Sequence, residues 1–237
     1  MWLITYYLLG IIILPGIIYA IIAQNKVQST FKAYSKVNAS NGMTAKDACQ
    51  RILQQAGITD VKIQPIQGNL TDNYNPTDKT LNLSDSVYNS SSIAAIGVAA
   101  HEAGHAIQHA QGYKMMKVRT ALIHVSNFAS GMLLPLIIIG VILSALAYTA
   151  LGNIFIIIGC VTFGLSVLIS LVTLPVEFDA SKRALANLTS SCTLDTTEVK
   201  GAKAVLNAAA QTYVAALVVS VLSFLRFILA FLITRNE

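Results

Sequence analysis

The sequence predicts an α-helical polytopic membrane protein of about four spans, with a small α+β portion on the cytoplasmic side. Three observations predict it. Of 237 residues, 54% are hydrophobic and only 11% are charged, whereas soluble domains carry about 25% charged residues. The apolar excess is gathered into blocks long enough to cross a hydrocarbon core of about 30 Å, which takes roughly 20 residues. The basic residues fall in the loops on one side of those blocks, the pattern of segments retained in the cytoplasm.

Residues 1–24 form the first block, with an uncharged run from Trp2 to Ala23. A cleaved signal peptide is the competing reading, but it needs a basic leader and a small-x-small cleavage site. No Lys or Arg precedes Lys26, so the block reads as a retained anchor. Residues 120–175 hold an apolar stretch from about Phe128 to Leu174, too long for one span. The stretch Ala150-Leu151-Gly152-Asn153 is the expected turn that divides it into a hairpin. Residues 208–237 carry the last span, to about Ile233.

Of 16 Lys and Arg residues, ten lie between Lys26 and Arg119 and four between Lys182 and Lys203. This places residues 25–119 and 176–207 in the cytoplasm, with both termini outside a multi-pass cell membrane. The net charge of +5 is thus a matter of topology and implies no nucleic-acid partner. Cys49, Cys160 and Cys192 are scattered, neither a disulfide framework nor a zinc-finger spacing. Asn38, Asn69 and Asn82 head sequons that matter only in a secretory lumen.

Within residues 25–119, Thr44 is the expected N-cap of a helix from Ala45 to Ala56, stopped by Gly57. Val61 to Gln64 alternates like a strand. Gly68 to Lys79 is dense in turn residues and reads as a loop. Thr80 to Leu83 is a second candidate strand, and from Ser91 or Ser92 a small-residue helix runs to about Ala110. Further on, Asp195 and Glu198 have the spacing of a capping box, and their helix should run into the last span.

HEAGH at 101–105 carries the chemistry. Residues four apart share a helix face about 6 Å apart along the axis. His101 and His105 can therefore bind one Zn²⁺, and Glu102 can reach a water there. The bland alternative is a helix with two solvent-facing histidines. A catalytic zinc needs a third protein ligand. The HExxHxxGxxH pattern fails, because Gln108 and Gln111 stand where it wants Gly and His. His109 is about 12 Å along the axis from His101, and His124 is isolated. Glu177, just after the third span, is the better candidate, since an acid at the interface is costly unless solvated or paired. It could equally be an interfacial acid balanced by Lys182 and Arg183. Arg226, inside the last span, reads more readily as a snorkelling cation than as a functional one, and the glycines at 131, 140, 159 and 164 as packing positions.

Several separated motifs, in order, resemble the YugP-like neutral zinc metallopeptidases of bacteria: AAHEAGHAIQHAQGY (99–113), LVTLPVEFDASKRA (171–184) and GAKAVLNAAAQTYVAA (201–216). The LTDNYNP loop and the SIAAI before the motif agree, so the resemblance spans most of the chain. More distantly, HExxH followed by E-F-x-A is similar to HtpX-like and prenyl-protein-processing membrane zincins. That resemblance implies a zincin-like, gluzincin-like catalytic portion with Glu177 as the third zinc ligand. The family's further acid falls on Ser181, which can still hydrogen-bond to the ligands from one turn away. The loop pattern D-H-Y-D-P is here Asp72-Asn73-Tyr74-Asn75-Pro76, so its histidine is missing.

The expected function is a membrane-bound zinc-dependent endopeptidase acting on a peptide or protein substrate, with Glu102 as general base. Tyr74, Tyr113 and Arg183 are candidate oxyanion donors, and the Thr80–Leu83 strand, if an edge, could pair with an extended substrate. The alternative is a non-catalytic zinc-binding membrane scaffold. An intramembrane site-2-type protease would want an Asp within a later span, and none is present. A transporter would want polar residues facing each other across several spans.

Overall fold

The computed structural model describes residues 7–191 and 193–235, leaving out the side chains of 124–130 and 234–235. Cys192, the side chain of His124 and the first residues of the anchor lie outside that description. The chain is mostly helical with one small sheet. A 3₁₀ turn (Leu9–Ile13) leads into α1 (Leu14–Tyr34), followed by α2 (Ala45–Gln55), β1 (Lys62–Ile66), β2 (Asn73–Asn75), β3 (Thr80–Ser84), α3 (Ile93–Ala110), α4 (Lys114–Ala145), α5 (Thr149–Ser190) and α6 (Thr196–Arg235). Two compact units are distinguishable: Ile22–Lys117 with Pro175–Thr212, and Met1–Ile21 with Val118–Leu174 and Tyr213–Glu237.

The first of these units has a core of small and aliphatic side chains. Cys49, Ile52 and Leu53 of α2 pack with Leu81 and Leu83 of β3, with Ile96 and Ala103 of α3, and with Ala184 and Leu188 of α5. Local signals set the helix ends. Thr44 accepts a hydrogen bond from the Asp47 amide, and Ser92 does the same for Ala95. Gly57 follows α2 at φ +70°, a conformation that costs glycine nothing. Asp195 and Glu198 close a reciprocal capping box at the start of α6, each side chain accepting from the other's amide at 2.8 Å. Cys49 is fully buried and donates from Sγ to the Ala99 carbonyl.

The sheet has the order β1–β3–β2, with β1 parallel and β2 antiparallel to β3. This corrects two expectations. The loop from Gly68 to Lys79 contains a strand, β2, whose three residues are too few and too polar to show a period. The Thr80–Leu83 strand is no edge: β3 lies between two partners, and four of its five residues are buried.

The other unit is made of apolar helical segments whose side chains face outward, such as Ile11, Leu134 and Val161, each at least 65% exposed. Helices satisfy their own backbone polar groups, so such a surface suits lipid. Among the described residues, three helices are long and apolar enough to cross a membrane, in the segments Leu9–Tyr34, Thr149–Ser190 and Thr196–Ile233. A fourth apolar stretch, Gly131–Ala145, is shorter. The protein is a helical membrane protein. The turn of the hairpin comes earlier than expected: Ala147, at φ +67°, lies between α4 and α5. Ala150 to Asn153 are helical, because Gly152 serves packing and not the turn. A Cβ on Gly152 would stand 2.6 Å from the Gly140 carbonyl oxygen, and one on Gly140 2.9 Å from that of Gly152. Gly159 and Gly164 pack against Ile137 and Phe224, while Gly131 has open space around it. The Arg226 guanidinium lies near Gly10.

Candidate metal centre

Helix α3 can be buried on nearly every side because it is built from Ala, Gly and Ile around its motif. Small residues let other backbones come close. Gly97 meets Ala202 of α6, and Gly104 meets α5 so tightly that a Cβ there would run into the Ala180 carbonyl, with its carbon 3.1 Å away. Glu177 precedes Ala180 by three residues and Ser181 follows it. The contact at Gly104 therefore sets both beside the histidines flanking that glycine.

Glu177 Oε2 lies 3.1 Å from His101 Nε2 and 3.5 Å from His105 Nε2. The three residues offer ligand atoms within 4.8 Å of one another. Four atoms placed tetrahedrally about 2.0–2.1 Å from a zinc ion stand about 3.3 Å apart, so the two measured separations fit. His101 and His105 meet edge to face, with ring centroids 4.8 Å apart. Glu102 is buried on the same helix.

The charge balance points the same way. Burial pushes the Glu177 carboxyl upward, but hydrogen bonds from His101 and His105 outweigh this and hold it well below the usual carboxylate range. Burial lowers the pKa of His105, yet its bond to Glu177 and the charges of Glu102 and Glu177 leave it raised overall. A buried carboxylate facing two imidazoles demands positive charge. A divalent cation between them would supply it.

Other residues support this set. Ser181 Oγ is 3.1 Å from His101 Nδ1. His105 Nδ1 is 2.9 Å from Gln108 Oε1, and Gln108 Nε2 donates to the Val176 carbonyl and to Asp179 Oδ2, both at 2.8 Å. Arg183 Nε donates to the same Asp179 oxygen at 2.5 Å. The guanidinium also reaches Gln111 and lies 5.6 Å above the centre of the Tyr113 ring. Tyr74 is elsewhere engaged: its hydroxyl is 2.8 Å from His109 Nδ1, and burial first, then Asp60 and Asp78, push its pKa up to about 12. Gln108 and Asp179 are the residues that motif reasoning passed over. A signal was present, since positions 101, 105 and 108 fall on one helix face.

Residues 9–232 match the family described as "putative neutral zinc metallopeptidase". The chain belongs to this family. A relative within reach of direct comparison is the "Putative membrane protease YugP" of Bacillus subtilis (strain 168), 44% identical over 215 residues, which cover 91% of this chain and 92% of the relative. No solved structure matches the chain. In this chain two histidines and a glutamate, His101, His105 and Glu177, offer ligand atoms close enough together that they could hold a metal ion. That donor set, two imidazole nitrogens and one carboxylate oxygen, fits zinc.

Proposed function

We propose that this protein is a membrane-bound zinc-dependent endopeptidase of the gluzincin type, with His101, His105 and Glu177 as metal ligands and Glu102 as general base. The observation that carries this reading is the convergence of Glu177 with both histidines, across two helices, beside a buried glutamate that follows the first histidine. Zn²⁺ held there supplies Lewis acidity toward water and toward a peptide carbonyl. Glu102 accepts the proton of the attacking water and hands it to the leaving amine. Ser181 steadies the His101 ring through Nδ1. Tyr113 and Arg183, packed on one another next to Asp179, and Tyr74, whose hydroxyl meets His109, are the candidates for steadying an oxyanion. Extended peptides pair with free strand edges. The edge strand linked to α3 is β2, through the bond from Tyr74 to His109.

Basic residues following the first apolar helix and surrounding the motif favour a cytoplasmic site in a multi-pass cell membrane, with both termini outside. The partners are then a peptide or protein substrate and the bilayer.

The test is zinc content and peptidase activity in detergent. The wild type is expected to hold close to one zinc per chain, and His101→Ala and Glu177→Ala to lose it. Glu102→Gln should keep zinc while turnover falls by roughly 10²–10⁴-fold. Tight zinc in Glu177→Ala would remove the third ligand. Zinc without any dependence of turnover on Glu102 would turn the protein into a metal-binding scaffold.

A further inference from the structure

We infer that Gln108, held by Asp179 and Arg183, is a positioning residue that locks His105 in the tautomer whose Nε2 lone pair is free to bind metal. The inference rests on the zinc site proposed above and extends it to residues outside the ligand set.

The argument is one of donors and acceptors. Gln108 is fully buried, so each of its polar atoms must find a partner within the protein. Its Nε2 lies 2.8 Å from two atoms, the Val176 carbonyl oxygen and Asp179 Oδ2. A carbonyl and a carboxylate only accept hydrogen bonds. The amide nitrogen of Gln108 must therefore face them, and the amide cannot be turned over without setting oxygen against two oxygens. That leaves Oε1 toward His105 Nδ1 at 2.9 Å. An amide oxygen cannot donate, so Nδ1 carries the hydrogen. Nε2 is then the atom left to bind, and it is the one facing Glu177.

The lock is held from behind. Asp179 is held at this place by the Arg183 Nε donor at 2.5 Å. Arg183 in turn lies over the Tyr113 ring and is bonded to Gln111, two residues before that tyrosine. His101 has no comparable lock. Its Nδ1 meets the Ser181 hydroxyl, which can donate or accept by rotating. The two histidines are therefore oriented unequally, and His105 is the one whose tautomer the fold dictates.

Partners that orient a ligand histidine are worth about 10–100-fold in metal affinity. Zinc dissociation constants, measured by chelator competition on full-length protein in detergent, test the inference without an activity assay. Gln108→Met, close in volume and without polar atoms, should weaken zinc by about 10–100-fold. Asp179→Asn should weaken zinc several-fold on its own and add nothing in the Gln108→Met background, because Asp179 acts through Gln108. Wild-type affinity in Gln108→Met, or an undiminished Asp179→Asn effect in the double variant, would each overturn the inference. Melting of the metal-stripped proteins shows whether Gln108→Met is folded. If it is not, Asp179→Asn decides, and unchanged zinc affinity there sinks the idea. Absence of zinc from the wild type would instead remove the metal site itself, and this inference with it.

Discussion

Two helix crossings in this protein use the same device for different ends. At Gly104, α3 comes against the Ala180 carbonyl of α5; at Gly140 and Gly152, the two arms of the hairpin come against each other's carbonyls. In both, the missing Cβ lets backbone meet backbone, the arrangement in which small residues draw helices together. What surrounds the contact differs. Around Gly140 the neighbours are Ile156 and backbone, and the residues beyond are aliphatic and outward-facing. Around Gly104 stand two histidines, a glutamate, a glutamine and a serine, nearly all bonded to one another. Close approach is thus a structural commonplace in this chain, and chemistry appears only where the approaching helices bring polar side chains that must satisfy each other.

Substitutions at the two contacts sharpen this comparison. Gly104→Ala should have the largest effect, since the clash is with backbone and not with a side chain that can turn aside. Overpacking of this kind typically costs about 1–3 kcal/mol. It also pushes Glu177 away from the histidines, so zinc affinity should fall at least tenfold. Wild-type zinc binding in that variant would separate the glycine from the metal site. Gly140→Ala should lower the melting temperature through an overpacking cost of the same order, yet leave zinc affinity unchanged. A loss of zinc there would blur the distinction between the two crossings.

Next in size comes a pH effect confined to metal-stripped protein. His105 has a raised pKa, so its contribution to stability is complete below its ordinary value of 6.5 and is lost as pH climbs through the raised one. Glu177 has a lowered pKa, so its contribution is complete above 4.5 and is lost as pH falls through the depressed one. Stripped protein should therefore melt highest between about pH 4.5 and 6.5, and Glu177→Gln should flatten the profile. Melting temperatures that keep rising to pH 8 in the stripped wild type would contradict the coupling. The smallest effect is expected from Gly131→Ala, where a Cβ meets nothing within 4 Å. Stability and zinc binding should both stay close to wild type.

Much of this was legible in the residues. Capping side chains at Thr44, Ser92, Asp195 and Glu198 announce helix starts, because orphan amides need acceptors regardless of tertiary context. The pair in HEAGH is readable for the same local reason: a helix fixes the distance between its own fourth neighbours. Glu177 is harder, since it comes from another helix, and a single interfacial acid has no period. The hairpin turn was misplaced because Gly152 looks like a turn residue and acts as a packing one, while Ala147 takes the left-handed conformation with no signal in its type. Strand β2 escaped notice for want of apolar alternation in Asn-Tyr-Asn. Gln108 was read only as a departure from another pattern, although its helix face was available; what it bonds to depends on Asp179, 71 residues away.

That Glu177 comes 76 residues after His101 matters before the protein is ever finished. At about 5–20 residues per second, a ribosome needs roughly 4–15 s to travel from one to the other. During that interval the nascent chain carries the two histidines of HEAGH without Glu177. Under the proposed reading, a product truncated before Glu177 has both histidines and lacks the proposed third metal ligand.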